Sequence, residues 1–165
     1  PSVNACAATA IMSIHSKLGN IAMTIDELVA REEIRHLLTR YTYAGDRGRM
    51  TELAACFAPD GVLEFPGSRA TGPDEILTAL SSGERNAAIS FVRHHITNPL
   101  IDLSQDGQAA SARSYFQVIS DNGPDHAGTY SDQLINTADG WRFAHRLVRV
   151  DWQSPASLFR PMTSR

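Results

Sequence analysis

Helix-forming segments precede strand-forming segments in this chain, and this order constrains its fold more than any other feature. Four β-rich segments follow Gly83, at 90–103, 110–120, 127–138 and 141–152. The turn-forming sequences "SQDGQ", "DNGPD" and "TADG" separate them. Before Gly83 the apolar residues mostly recur at helical spacing, with one short strand-like stretch, "GVLEF". Helices followed by a run of strands indicate an α+β fold with an antiparallel sheet, not a doubly wound one.

Three helices are predicted in the first half of the chain. The first begins after Thr24, in a capping-box sequence, and runs to about Asp46, where Gly48 suits a left-handed cap. A second helix is predicted over Met50–Phe57, and Pro73 opens a third. The long first helix has an apolar stripe, and a sheet needs one face covered. Packing one on the other predicts a cone with an internal cavity.

Length, charge and cysteine content narrow the class of protein. A chain of 165 residues favours one domain of ordinary size. The net charge of -3 and the lack of a Lys/Arg run disfavour a nucleic-acid partner. No apolar run approaches the ~20 residues that span a membrane. Cys6 and Cys56 match no metal-binding spacing, so free thiols in a reducing, cytoplasmic compartment are expected, with Cys56 buried.

Two residues of the first helix are candidates for chemistry. Asp46 lies at the negative end of the helix dipole, where a carboxylate is disfavoured by roughly 0.3–1 kcal/mol. It either lies exposed and pairs with Arg47 or Arg49, which position alone favours, or points into the cone and orients a histidine. Tyr41 lies on the apolar stripe, as either a core tyrosine or a hydrogen-bond donor that lines the pocket.

The stretch "RHHITN" places two histidines side by side in a predicted strand. Because neighbouring strand residues point to opposite faces, one of His94 and His95 should face inward. An inward imidazole beside Asp46 would form a dyad in which the carboxylate fixes the tautomer and the other ring nitrogen acts as a base. Periodicity leaves the choice open. Val92, Ile96 and Leu100 share a face with His94, whereas Phe91, Ile101 and Leu103 share one with His95.

Further residues are expected to line the cavity. Asn98 shares a face with His94, and Tyr130 and Asp132 share a face in a later strand. An apolar wall predicts a small hydrophobic ligand; its residues would be Phe65, Val92, Ile96 and Phe116. Arg113 and Ser114, on opposite faces of a strand, are further polar candidates. Trp141, Phe143 and Trp152 are expected to be core or interface anchors.

Neither a metal nor a nucleotide cofactor is predicted. A metal site needs three or more converging ligands, and His36, His126 and His145 are scattered over different segments. The sequence contains no P-loop, GxGxxG or GxSxG motif. We therefore expect chemistry that uses protein side chains alone.

Several segments together resemble the SnoaL-like branch of the nuclear transport factor 2-like superfamily: "REEIRHLLTRYTYAGDRGRMTELAACFAPDGVLEFPG", "GPDEILTAL", "RHHITNPLID", "AGTYSDQLINTADGWRF" and "RVDW". The resemblance implies a cone-shaped α+β domain over 24–153. Residues 1–23 would then be an N-terminal extension, a loosely docked arm, and 154–165 a C-terminal tail. It also implies a homodimer or homotrimer formed through the sheet.

The resemblance also suggests roles for individual residues. Scytalone dehydratase, bile acid 7α-dehydratase and hexachlorocyclohexane dehydrochlorinase use an Asp–His pair whose Asp ends the first long helix, as Asp46 does. The bile acid enzyme has a Tyr five residues earlier, matching Tyr41. The dehydrochlorinase has its His four residues before an Asn, as His94 precedes Asn98, which favours His94 as the inward base and His95 as its outward neighbour. Scytalone dehydratase uses a second histidine one strand later, and "SARSYFQVIS" has none.

These observations predict a cofactor-free lyase of dehydratase type. His94 would remove a C–H proton, Asp46 would stabilise the imidazolium, and Tyr41 would donate a hydrogen bond to the leaving hydroxyl or a carbonyl oxygen. The substrate would be small and hydrophobic, aromatic or steroid-like. Two alternatives stay open: a polyketide cyclase or isomerase with the same acid–base residues, and a non-catalytic subunit like the β subunit of ring-hydroxylating dioxygenases.

Overall fold

The fold combines three helices with a curved, unclosed six-stranded sheet, which confirms the predicted α+β class. It is described by a computed structural model for residues 23–81, 87–159 and 161–162. The helices are α1 (Ile25–Asp46), α2 (Met50–Ala54) and α3 (Gly72–Ser81). The strands are β1 (Phe57–Phe65), β2 (Ser68–Thr71), β3 (Val92–Leu103), β4 (Ala109–Ser120), β5 (Gly123–Thr137) and β6 (Gly140–Gln153). Cys6 and the predicted N-terminal extension, apart from Met23, lie outside the described residues.

Helix α1 forms as the sequence predicts. The Thr24 N–H donates to Oε2 of Glu27 over 2.8 Å, and the Glu27 N–H donates to Oγ1 of Thr24 over 3.1 Å, which completes the capping box. The helix ends at Asp46, and Gly48 takes a left-handed φ of 68°. The buried apolar stripe consists of Ile34, Leu37, Leu38, Tyr41 and Ala44.

The segment between α1 and α3 differs from the prediction. The second helix ends at Ala54 instead of Phe57, and Phe57 begins the nine-residue strand β1. Pro59 does not stop this strand, because the register between β1 and β6 shifts between Phe57 and Val62. A residue without an N–H is tolerated in such an irregular stretch. The short strand β2, which pairs with the end of β1, was not predicted.

The four β-rich segments after Gly83 form β3 to β6, close to the predicted bounds. The order across the sheet is β2-β1-β6-β5-β4-β3. Neighbouring strands are antiparallel except β1 and β6, which run parallel, so the sheet is mixed. Strands β2 and β3 form its two edges, and α1 contacts β3 and β6 across the concave face.

The core lies between α1 and this concave face. It combines the α1 stripe with Phe57, Leu63, Ile101, Leu134 and Phe143, all nearly inaccessible to solvent. Cys56 is buried with a free thiol, as predicted. Helix α1 is apolar on one side only, and no helix in the described part of the chain has the length and apolarity to cross a membrane.

Candidate active site

Asp46 points into the cone and binds His94 twice. Its Oδ1 lies 2.6 Å from Nδ1 of His94, and both carboxylate oxygens lie 3.2 Å from the His94 backbone N–H. Only 9% of the Asp46 side chain is exposed. Arg47 instead stacks on Tyr43, and Arg49 pairs with Glu52. Asp46 is therefore neither exposed nor paired with Arg47 or Arg49, contrary to what its position alone favoured.

His94 lies on the concave face because β3 alternates regularly through this stretch. Val92, His94 and Ile96 are partly buried, whereas Arg93 and His95 are exposed. His94 is paired in register with Val118 of β4, which is fully buried. Since Nδ1 of His94 contacts the carboxylate, Nε2 is the ring nitrogen left for a ligand.

Asn98 does not face the interior with His94. It is exposed, adopts a left-handed φ of 54°, and lies where the register between β3 and β4 shifts, between Thr97 and Leu100. Such a bulge moves every later side chain to the other face. Ile101 consequently lies on the same concave face as His94, although the uninterrupted period placed it with His95.

Tyr41 lies deeper in the cone, within a cluster of aromatic rings. Its ring meets Tyr130 and Phe143 edge to face, with centroids 6.3 Å and 5.7 Å apart. Burial raises the pKa of Tyr41, partly offset by the neighbouring Arg146, so the phenol stays protonated at neutral pH. Phe116 stacks on Tyr130 with centroids 4.5 Å apart.

Asp132 faces the interior as predicted, but Arg146 occupies both of its oxygens. Nε and Nη2 of Arg146 donate to them over 2.8 Å and 2.7 Å, and both side chains are fully buried. The guanidinium lies 4.0–4.3 Å from the ring centroids of Tyr41, Tyr130 and Phe143. Asp132 is thus a structural partner of a buried cation and not a free pocket carboxylate. Arg146 was not predicted as a site residue from the sequence.

A second carboxylate–imidazole pair, Asp125 and His126, faces the first and was missed in the sequence. Oδ1 of Asp125 lies 2.7 Å from Nδ1 of His126, and both residues are buried. The register pairs His94 with Val118 and Val118 with His126, so the two histidines flank one valine in a single row. Their ring centroids are 6.4 Å apart. The "DH" dipeptide at the start of a strand was the available signal.

A bulge explains how the adjacent residues Asp125 and His126 can both face inward. Val118 pairs with His126 and Ile119 with Pro124, so Asp125 is the extra, unpaired residue of β5. Burial alone would raise the pKa of Asp125, but hydrogen bonds from His126, Ser157 and Leu158 outweigh it and hold that pKa below its usual value. Burial lowers the pKa of His126, against the raising effect of Asp125, and the nearby His94 lowers it further.

An open cleft of about 480 Å³ lies between the end of β1 and the second half of β6. Phe65, Val148 and Val150 line it, and the two valines also pack against the cluster of Phe116, Val118 and Tyr130. Val118 of this cluster lies between His94 and His126. The cleft and the two histidines therefore border the same apolar cluster. Among the described residues, no group of three or more His, Cys, Asp or Glu side chains is arranged to hold a metal.

The family of the chain is evident from its sequence. A model of the SnoaL-like domain matches residues 26–147. The chain belongs to the SnoaL-like family. This confirms the predicted resemblance, and the cone of helices and curved sheet is the corresponding fold. No protein with a curated description matches the chain.

Several solved structures are similar to this SnoaL-like chain. A Novosphingobium aromaticivorans protein provisionally named a scytalone dehydratase has 26% identity and a TM-score of 0.71, over 83% of this chain and 94% of that one. A Mycobacterium tuberculosis protein of unknown function has 27% identity and a TM-score of 0.68, over 79% and 78%. A Catenulispora acidiphila protein has 31% identity and a TM-score of 0.67, over 76% and 94%.

Proposed function

We propose that this SnoaL-like protein is a cofactor-free lyase that eliminates water from a small hydrophobic substrate. The observation that carries the proposal is the 2.6 Å contact between the largely buried Asp46 carboxylate and Nδ1 of His94. A carboxylate in this position keeps the proton on Nδ1, so Nε2 has a free lone pair. It also stabilises the imidazolium that forms when Nε2 takes a proton. Such a base typically contributes about 10²–10⁴-fold to a rate.

The remaining residues complete the elimination. Nε2 of His94 takes the proton from a carbon beside a carbonyl group, while the Tyr41 phenol donates a hydrogen bond to the carbonyl oxygen. The C–O bond then breaks. Nε2 of His94 passes the abstracted proton to Nε2 of His126, which gives it to the departing hydroxide, and the hydroxide leaves as water. This returns both imidazoles to their resting state. The two histidines together therefore hold one transferable proton.

The walls of the cone favour an apolar, ring-containing substrate. Phe116, Val118 and Tyr130 form a buried cluster on the concave face, and partly buried apolar residues extend it. Those residues are Val92, Ile96, Val148 and Val150. Phe65 borders the adjoining cleft. The similarity to a protein provisionally named a scytalone dehydratase, at 26% identity, supports a hydroxylated aromatic or alicyclic ketone.

A cyclase or isomerase would use the same first step, because abstraction of a C–H proton by His94 begins all three reactions. The second histidine favours elimination, since a departing hydroxide needs a proton donor separate from the base. A purely structural subunit would have no use for two carboxylate-bound histidines that face each other 6.4 Å apart.

The test is turnover of a panel of β-hydroxy ketones with aromatic or steroid rings, followed as loss of water by mass spectrometry. We expect His94→Gln to lower kcat by about 10²–10⁴-fold, because the base is lost. Asp46→Asn should also lower it, because the amide no longer stabilises the imidazolium. His95→Gln is the matched control and should behave as the wild type, since His95 is exposed on the other face. Full activity of His94→Gln, or no turnover of any ketone by the wild type, would refute the lyase.

A further inference from the structure

Asp125 is the point where the C-terminal segment meets the candidate site. Its carboxylate is 1% exposed and accepts four hydrogen bonds. Nδ1 of His126 and Oγ of Ser157 donate to Oδ1 over 2.7 Å and 2.8 Å. Oγ of Ser120 and the N–H of Leu158 donate to Oδ2, each over 3.2 Å. Two of the four donors therefore come from the C-terminal segment.

The Ser157 hydroxyl has a fixed direction. Its oxygen accepts from Nε2 of Gln153 over 3.0 Å and from the N–H of Phe159 over 3.1 Å. With its acceptor capacity used in this way, its single proton is directed at Asp125. The backbone oxygen of Asp125 in turn accepts from the Ser154 N–H over 2.7 Å. The segment and the carboxylate thus hold each other in place.

The same segment also contacts the imidazole directly. The Phe159 ring meets the His126 ring edge to face, with centroids 5.1 Å apart. On its other sides His126 faces Phe116 and His94, and Asp46 lies behind His94. In the part of the chain that the structure describes, the charged and titratable groups around His126 are therefore Asp125, His94 and Asp46. Of these, only Asp125 is bound by the C-terminal segment.

We propose that the C-terminal segment Ser154–Phe159 is part of the active site: Ser157 and the Leu158 N–H bind the Asp125 carboxylate, share its charge with His126, and so set how readily His126 takes up a proton. Ser157 and Asp125 are positioning residues, because they act through the imidazole. The catalytic meaning of this network rests on the lyase proposed above, in which His126 gives its proton to the leaving oxygen.

Charge sharing gives the effect of each variant a definite sign. Hydrogen bonds to a carboxylate withdraw negative charge from it, so Ser157 and His126 compete for Oδ1 of Asp125. Ser157→Ala removes one competitor, strengthens the Asp125–imidazolium contact, and should raise the pKa of His126 by about one unit. Asp125→Asn removes the charge and should lower that pKa.

The experiment is a pH titration of the histidine imidazoles by ¹⁵N NMR on the full chain, with His126 assigned through His126→Gln. It needs no substrate, so its result is independent of the lyase assay. We expect the wild-type His126 to carry its neutral-form proton on Nδ1. The His126 imidazole should titrate at higher pH in Ser157→Ala, and at lower pH in Asp125→Asn, than in the wild type. In Ser157→Thr it should titrate as in the wild type, because threonine keeps the hydroxyl.

Ser104→Ala is the matched control, because Ser104 also donates to an aspartate, Asp106, in a turn away from His126. The pKa of His126 in Ser104→Ala should equal that in the wild type. An unchanged or lowered pKa of His126 in Ser157→Ala would overturn the positioning role, and so would a neutral His126 protonated on Nε2. If the titrations shift as expected and no ketone is turned over, the lyase fails and the positioning network stands.

Discussion

At the scale of single residues, the candidate site consists of two aspartates that each bind Nδ1 of a histidine. Asp46 and His94 were anticipated from the resemblance to the SnoaL-like family, whereas position alone favoured an exposed Asp46 and periodicity left the choice between His94 and His95 open. Asp125 and His126 were not anticipated, because regular alternation places adjacent strand residues on opposite faces. Only the bulge at Asp125 brings both inward.

The assigned roles of the two histidines can be separated by the leaving group. His126→Gln should lower kcat on a β-hydroxy ketone by about 10²–10⁴-fold, because hydroxide must be protonated to leave. On the β-chloro analogue it should have little effect, since chloride leaves without a proton. His94→Gln should impair both reactions, because each begins with C–H abstraction. The measurement is kcat for both substrates, corrected for spontaneous elimination.

An equal loss of activity on both substrates in His126→Gln would contradict the proton-donor role, since it would indicate damage to the whole site. His145→Gln serves as the control for substituting a histidine. His145 lies 3.1 Å from Glu64, on another part of the sheet, and has no contact with either aspartate of the site. It should leave both reactions unchanged.

At the scale of elements, the sequence predicted regular stretches well and irregular ones poorly. Strands β3 to β6 were located correctly, because turn-forming sequences separate them. Strand β1 was underestimated, because the apolar spacing before it continues that of a helix and Pro59 suggests a stop. The period placed Ile101 on the face of His95, but Ile101 lies on that of His94, because the bulge at Asn98 comes before it. The alternation of apolar and polar residues in a strand does not show where a bulge interrupts it.

The bulge at Asn98 should depend on the residue found there. A left-handed φ of 54° costs an ordinary L-residue roughly 1–2 kcal/mol, whereas asparagine tolerates it better and glycine best. We expect Asn98→Ala to lower the free energy of unfolding by about 1 kcal/mol, and Asn98→Gly to leave it near the wild-type value. Urea denaturation followed by circular dichroism measures both. Equal stability of the alanine and glycine variants would show that the backbone conformation is not the cause.

At the scale of the whole molecule, the sheet has two unlike faces. The concave face is covered by α1, whereas the other exposes large apolar side chains. Leu100, Tyr115 and Trp152 are 54%, 60% and 47% exposed. Exposed apolar side chains clustered on one surface are typical of an interface. They support the proposal that copies of the chain associate through the sheet, as a homodimer or homotrimer.

A charge in the middle of this face should weaken such association. Tyr115→Glu is expected to shift the sedimentation coefficient from that of an oligomer to that of a monomer, because a buried, unpaired carboxylate is costly. Tyr43→Glu is the matched control, since Tyr43 is 57% exposed on α1 and away from the sheet face. Analytical ultracentrifugation at several protein concentrations provides the measurement. An oligomer of unchanged size in Tyr115→Glu would place the interface elsewhere.

The two carboxylate–imidazole pairs differ in the sequence separation between the aspartate and the histidine. Asp125 and His126 are neighbours, so a bulge in one hairpin is enough to join them. Asp46 and His94 lie 48 residues apart and meet only when α1 docks on the sheet. Local opening of that helix would separate Asp46 from His94 and leave the contact between Asp125 and His126 intact. The NMR signals of the His94 ring therefore report on helix docking, and those of the His126 ring on the hairpin and the segment bound to it.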